Sequence, residues 1–411
     1  MSRGIGARES EALHNLRGLA IICVVMMHSF VGYCRSAKPS FGNFAAPPYA
    51  WQAFPVVDAH RWIGFDIFCA WQDVFLMTLM FFLAGVFAWP SLDRWGAGKF
   101  LDRRCLRLAV PFLFGVGVVI PVALYPAYLV TGAPPGVSAY LSAYLRLPFW
   151  PNGPLWFLWI LLALTLIAAG VHRFAPKAVR RLGALSGSFD LRPKAAFAGW
   201  ALIAVFAYAP LALAFGPWRW TDAGPFSLQL CRPALYAAYF CAGLGVGERG
   251  VARSFLSAQG ALQERWRLWL AAAALSLLLW MGLTGLTLDG AAPFAVQAAS
   301  DASYALAGAC SVAFALAACL RFGQTRRPIV RSLSDHALGI YLIHYAFTVW
   351  LQYALLGADL PAVAKAGLVL LGALSFSWGL AVAASAIRET LVNASAARPL
   401  VRARRQRVSG F

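Results

Sequence analysis

The sequence predicts an all-α fold, a polytopic membrane bundle of about ten transmembrane helices with both termini cytoplasmic, and three observations carry that prediction. Hydrophobic residues make up 61% of the chain and charged residues only 12%, about half the charged share of an ordinary soluble domain. About ten apolar runs are long enough to cross roughly 30 Å of hydrocarbon, some with help from tilt or local thinning. The basic residues behind the net charge of +19 alternate from loop to loop instead of forming one patch, which argues against nucleic acid as a partner.

Taken in order, the runs fall at 16–33, 63–89, 106–130, 155–171, 195–215, 228–246, 268–286, 302–320, 333–356 and 366–387. The first has Arg3 and Arg8 ahead of it, like a signal peptide, but no small-x-small cleavage site follows Phe30, so it is read as retained. The third is rich in proline, with Pro111, Pro121 and Pro126. The sixth holds GLGVG, with Gly243, Gly245 and Gly247; no strand precedes it, so it reads as a small-residue helix contact and not as a nucleotide loop. No internal repeat or soluble domain stands out, so residues 1–411 form one membrane domain, with 388–411 as a basic tail.

One set of loops holds Arg94, Lys99, Arg103, Arg104 and Arg107, then the bases of 172–194, of 249–267 and of 321–331. The opposite loops hold only Arg35, Lys38, Arg61, Arg146, Arg219 and Lys365. The positive-inside rule puts the first set and both termini in the cytoplasm, which requires an even number of spans. The loop 35–62 on the other side is long enough to form a lid or an acceptor surface. Trp51, Phe54, Trp62, Phe149, Trp150, Trp218 and Trp220 crowd the outer ends of spans, where an interfacial aromatic belt is preferred over sugar platforms.

Ionisable groups inside apolar spans are costly, so function is their default explanation. Arg17 and His28 stand eleven residues apart; at about 100° per residue they share a helix face, about 16 Å apart along the axis. His344 lies at nearly the same depth in the ninth span, with Tyr341 and Tyr345 beside it, and serves either chemistry or packing. Asp66 and Asp73 fall on similar faces of the second span; Asp73 is expected either to orient His28 or to pair with Arg232 or water. Asn152 and Trp156 at the head of the fourth span, with Arg232 in the sixth, are candidates for an acceptor face. His14, His60, His172 and His336 receive no role. The eight cysteines show no metal-binding spacing, so no metal site is expected. Cys34, at the outer end of the first span, is placed for oxidation, but the sequence identifies no partner for it.

With these residues in view, LHNLRGLAIICVVMMHSF (13–30) resembles the opening of the acyltransferase-3 membrane proteins, whose signature is Arg, ten residues, His. FFLAGVFAWPSL (81–92), FLDRRCLRLAVPFLFG (100–115), GPLWFLWILL (153–162) and SLSDHALGIYLIHYAF (332–347) follow in the family's order. Several of these segments look most like the branch with the glucan biosynthesis protein C succinyltransferases. One departure stands out: where the family commonly reads Leu-Asp-x-Leu-Arg, this chain has Leu13, His14, Asn15, Leu16 and Arg17.

The resemblance implies an enzyme of a bacterial cytoplasmic (inner) membrane. Such an enzyme moves an acetyl or succinyl group from acyl-CoA in the cytoplasm to a hydroxyl of an extracytoplasmic carbohydrate or glycolipid. Arg17, Arg103, Arg104 and Arg107 are then expected to hold the donor, although the loop arginines also fit a topology signal with contacts to membrane lipids. His28 serves as general base or as nucleophile, with His344 and Asp73 beside it. Asp66, Trp156, Arg232 and Tyr341 are expected to face the acceptor. The competing expectation is a carrier or flippase for a glycan or lipid-linked intermediate, since intramembrane charges mark transport pathways too.

Overall fold

The computed structural model describes residues 7–39, 42–221, 223–257, 259–288 and 290–408; the expectations for Arg3 and for the end of the tail, 409–411, lie outside the described residues. In chain order the helices are α1 (Ala7–Val31), α2 (Ile63–Arg104), α3 (Val110–Phe114), α4 (Ile120–Leu129), α5 (Val137–Leu145), α6 (Trp156–Phe174), α7 (Pro176–Leu191) and α8 (Pro193–Phe215). There follow α9 (Pro233–Arg249), α10 (Ala261–Glu264), α11 (Trp266–Gly285), α12 (Phe294–Phe322), α13 (Pro328–Asp335), α14 (Ala337–Ala354) and α15 (Ala362–Val408). Among the described residues, extended pairing is confined to one bridge between Trp220 and Gln229. An all-helical span satisfies every backbone group internally, which hydrocarbon demands.

Seven helical runs are long and apolar enough to cross a membrane: Glu9–Val31, Ile63–Leu129, Gly153–Phe174, Pro193–Phe215, Trp266–Gly285, Phe294–Phe322 and Ala362–Leu391. The 67-residue run Ile63–Leu129 is broken at Gly96, whose φ of 71° and ψ of 164° suit a residue without Cβ. The two halves run in opposite directions. Phe87 and Arg107, on either side of the break, both lie near Arg17. Asp66 and Val122 instead lie at the other end, beside Arg35 and Trp350. Two more helices, α9 with 17 residues and α14 with 18, stand outside the seven. His344, Thr348 and Gln352 make α14 polar along one face, each buried to within 2% exposure.

Prolines shape the returning half. Pro111 and Pro121 each lack the N–H that would bond four residues back, and the helix widens into π turns at Cys105–Ala109 and Gly115–Val119 just where those bonds are missing. The freed carbonyls find side-chain donors: Trp150 Nε1 bonds Val116 O at 3.2 Å, and Trp350 Nε1 bonds Val122 O, four residues before Pro126, at 2.9 Å. Tyr140 Oη reaches Pro121 O at 2.6 Å. The proline-rich run therefore stays helical because α5, α14 and the segment ahead of α6 complete it.

α2 and α9 form the closest helix pair through glycines. A methyl on Gly243 would strike the Phe82 carbonyl, and one on Gly85 the Phe240 carbonyl, so the GLGVG segment is the small-residue contact expected of it.

The loop 35–62 folds over the end of the bundle opposite the basic loops. Trp51 is 1% exposed, stacks on Phe44 at 4.4 Å and bonds Phe44 O at 3.0 Å; Phe44 in turn packs against Tyr128 and Tyr140. Trp51 is thus the core of this loop and not part of an aromatic belt. Trp62, Trp218 and Trp220 do remain exposed. Asp58 and Lys365, 3% and 0% exposed, join the loop to the first turn of α15 at 2.7 Å. Lys365→Met is expected to cost about 3–5 kcal/mol by stranding a buried carboxylate, with most of it recovered in Asp58→Asn/Lys365→Met. Denaturation midpoints in detergent check both values.

Candidate active site

α1 and α14 lie against each other and bring their histidines together. The His28 and His344 rings stand 5.2 Å apart between centroids at 46°, and His28 also meets the edge of Tyr345 at 5.2 Å. His344 is fully buried, and its Nδ1 lies 2.8 Å from Tyr341 O and 3.2 Å from Ile340 O. A carbonyl only accepts, so Nδ1 carries the proton and Nε2 of the neutral ring keeps its lone pair. That Nε2 has no partner, although it is buried. His28 is half-buried and turned into the bundle against α14. An imidazole pair with one free basic nitrogen can accept, hold and return a proton without solvent.

Two further buried hydroxyls near this pair lack partners, Ser29 Oγ and Thr348 Oγ1. Gln352 lies two turns beyond His344 and donates from Nε2 to His28 O at 2.9 Å and Ser29 O at 3.3 Å. Those carbonyls belong to the last turn of α1, which has no intrahelical donors left. The helix that carries one histidine thus caps the helix that carries the other. Sequence reasoning missed Thr348 and Gln352. Their signal was present: 344, 348 and 352 repeat at helical spacing along one face of an apolar run.

About 16 Å along α1 from His28, toward the basic loops, Arg17 is half-buried with its guanidinium 5.8 Å from the Phe87 ring. Arg104 and Arg107 are its electrostatic neighbours, as is Asp335. No carboxylate forms an ion pair with Arg17 among the described residues, so three guanidiniums share a region with a surplus of positive charge. Arg103 turns instead onto the Trp95 ring at 4.2 Å. His14 Nε2 lies 2.9 Å from Asp335 Oδ1. The acidic neighbour of Arg17 is therefore supplied by α13 rather than by α1. Glu11 with Arg331, and Asn15 with the carbonyls of Gly323 and Thr325, fasten the same segment to α1.

Several sequence expectations meet other partners. Of the expectations for Asp73, the pairing with Arg232 is the one found, in place of an orienting bond to His28: its two oxygens accept from Nη1 and Nη2 of Arg232 at 2.8 and 2.7 Å. The fork geometry matches a carboxylate on both oxygens, and pairing offsets the desolvation of a guanidinium that is 4% exposed. Both Nη atoms of Arg232 are thereby committed to Asp73, while its buried Nε has no partner. Asp66 accepts the N–H groups of Arg35 and Ser36 at 2.7 and 2.9 Å, which fixes the turn after α1 rather than a substrate. Tyr341 donates its hydroxyl to Pro154 O. Asn152 donates to Pro225 O and Ser227 O at 3.1 and 2.9 Å. Trp156 stacks on Tyr236 at 5.5 Å. The depth of Asp73 in its span marked it as needing a partner; the others, expected at an acceptor face, have these contacts inside the fold.

Asp73→Ala and Arg232→Ala are each expected to destabilise the protein by about 3–5 kcal/mol, and the double variant by less than their sum, with a coupling of about 0.5–3 kcal/mol. A double-mutant cycle on unfolding checks this. A coupling to His28→Ala in turnover instead would restore Asp73 to the imidazole pair.

The chain matches no curated protein and no solved structure. It does match the family model of the acyltransferase domain, Acyl_transf_3, over residues 10–383, a stretch that holds both histidines, Arg17 and every helix that positions them. The chain belongs to the acyltransferase-3 family and is an integral membrane acyltransferase.

Proposed function

We propose that this protein moves an acyl group, acetyl or succinyl, from a cytoplasmic acyl-CoA to a hydroxyl of an extracytoplasmic or lipid-linked carbohydrate. The observation that carries the reading is the His28–His344 pair inside the bundle, with Arg17 on the same helix below it. Ten spans with both termini cytoplasmic follow if the reversal at Gly96 divides the longest run and α9 and α14 also cross. In that topology the Arg17 region opens to the cytoplasm of a bacterial inner membrane, and the loop 35–62 faces outward. The glucan biosynthesis protein C branch remains the likeness that points to a glycan acceptor.

In this mechanism Arg17, Arg104 and Arg107 hold phosphates of the donor, since a guanidinium fork matches phosphate oxygens and Arg17 makes no ion pair with a carboxylate among the described residues. Arg103 lies at the rim of the same region. The extended pantetheine arm spans the distance to His28. Neutral imidazole accepts the proton of the acceptor hydroxyl as its oxygen forms the bond to the thioester carbonyl carbon. The C–S bond breaks, and the departing sulfur takes the proton back from imidazole. In the nucleophilic version His28 carries the acyl group between two such displacements. His344, its Nδ1 held by backbone carbonyls, positions its Nε2 to pass the proton in either version. Membrane lipids flank the bundle.

Acyl-CoA turnover by purified protein, with membrane levels matched, tests this. His28→Ala is expected to lower kcat/KM by about 10²–10⁴-fold. His344→Asn, which keeps a side-chain donor for the carbonyls but offers no basic nitrogen, is expected to lower kcat with little change in KM. Undiminished movement of a glycan across the membrane by His28→Ala would instead support a carrier. Arg17→Gln is expected to raise KM for acyl-CoA roughly tenfold or more, the loss of about 1.5–3 kcal/mol from a charge-assisted contact, and to leave unfolding midpoints unchanged.

A further inference from the structure

Cys34, for which the sequence offered no partner, has one in the fold. Its Sγ lies 3.8 Å from Sγ of Cys69, across the junction between the outer end of α1 and the second turn of α2. Bonded sulfurs stand about 2.0 Å apart, so a sideways movement of the two thiols by about 1 Å each would bring them into bonding distance. The backbones on either side are already fixed against each other. Asp66 holds the N–H groups of Arg35 and Ser36, Trp62 N–H bonds Tyr33 O at 3.0 Å, and Phe30 packs on Phe65 at 4.7 Å. Cys69 Sγ also approaches Met27 O at 3.9 Å, so its side chain lies along the last turn of α1. Among the described residues no other two cysteine sulfurs come into such contact; Cys231 and Cys319, for example, point at the carbonyls of Pro217 and Ala12.

We propose that Cys34 and Cys69 form a disulfide that staples α1 to α2 and closes a loop containing the whole segment 35–62. The proposal rests on the outward orientation of this end given above, since disulfides form and persist on the oxidising side of a membrane. The bond forms by exchange with a protein or small-molecule disulfide of that compartment. One cysteine thiolate attacks the donor, releasing one donor thiol and leaving a mixed disulfide; the second thiolate displaces the other donor thiol as the S–S bond forms. Two electrons pass to the donor, and the two cysteine protons end on its two thiols. Cys34 is 2% exposed, so exchange precedes the docking of the loop over it. Cys34 follows His28 by six residues, just past the end of α1 at Val31, so the staple holds the last turn of α1 where Gln352 caps it.

The full chain, purified from membranes without reductant, is alkylated, digested and analysed by mass spectrometry. A cross-linked pair of peptides holding Cys34 and Cys69, lighter by two hydrogens than its parts and lost after reduction, is the expected result. The thermal midpoint is expected to shift down on reduction of the native chain and to show no such shift in Cys34→Ser. Both cysteines recovered alkylated from the unreduced sample would overturn the proposal. Lys38→Cys in a Cys34→Ser/Cys69→Ser background, probed in intact cells with a membrane-impermeant maleimide, separates the causes. Labelled Lys38→Cys with free native thiols refutes the disulfide alone, whereas no labelling with free native thiols refutes the orientation on which it rests.

Discussion

The contact between α1 and α14 is the constraint on which the site depends. Each helix carries a polar group that hydrocarbon would not tolerate alone, and each supplies what the other lacks. Gln352 on α14 gives its amide protons to the His28 and Ser29 carbonyls that the end of α1 leaves open. The His344 ring, locked by carbonyls of its own helix, lies 5.2 Å from the His28 ring with its second nitrogen buried and without a partner. Satisfying a helix terminus and seating an imidazole pair are one structural act. A terminus without partners in an apolar medium costs several kcal/mol, so this contact is held more firmly than packing alone would hold it.

Away from that pair, several charged groups of the bundle are matched with one another. Asp73 and Arg232 neutralise each other between α2 and α9 while glycines let the same two helices approach closely. Asp58 and Lys365 do the same under the loop 35–62. Trp150, Trp350 and Tyr140 cover carbonyls of the proline-widened helix. Beside the imidazole pair the buried His344 Nε2, Thr348 Oγ1 and Ser29 Oγ lack partners, and Arg17, with Asp335 nearby, makes no ion pair among the described residues. Buried groups that the fold leaves unsatisfied are where a substrate completes the hydrogen bonding.

Much of this was legible in the chain. The helical class followed from composition, because a chain with 12% charged residues cannot cover an aqueous surface. Arg17 and His28 were legible because both sit on one continuous helix, where spacing alone fixes the shared face. The GLGVG contact was legible because glycine in an apolar helix has little use except close approach. Less legible were the partners of Asp66 and Tyr341, which come from 30 to 187 residues away; for Asp73 the sequence offered Arg232 as one partner among several, and packing made the choice.

By itself, then, the sequence determined which segments are helical and apolar, which residues are costly to bury, and which two groups share the face of α1; these are properties of local composition and a fixed helical period. Only the tertiary structure decided that His344 meets His28, that Arg232 rather than an imidazole claims Asp73, that Asp335 stands near Arg17 in place of an acid on α1, and that Cys69 is the neighbour of Cys34. Each of those joins residues on different helices. Their choice of partner is set by helix packing and by the cost of burying a charge without a counterpart, conditions no single segment of the chain contains.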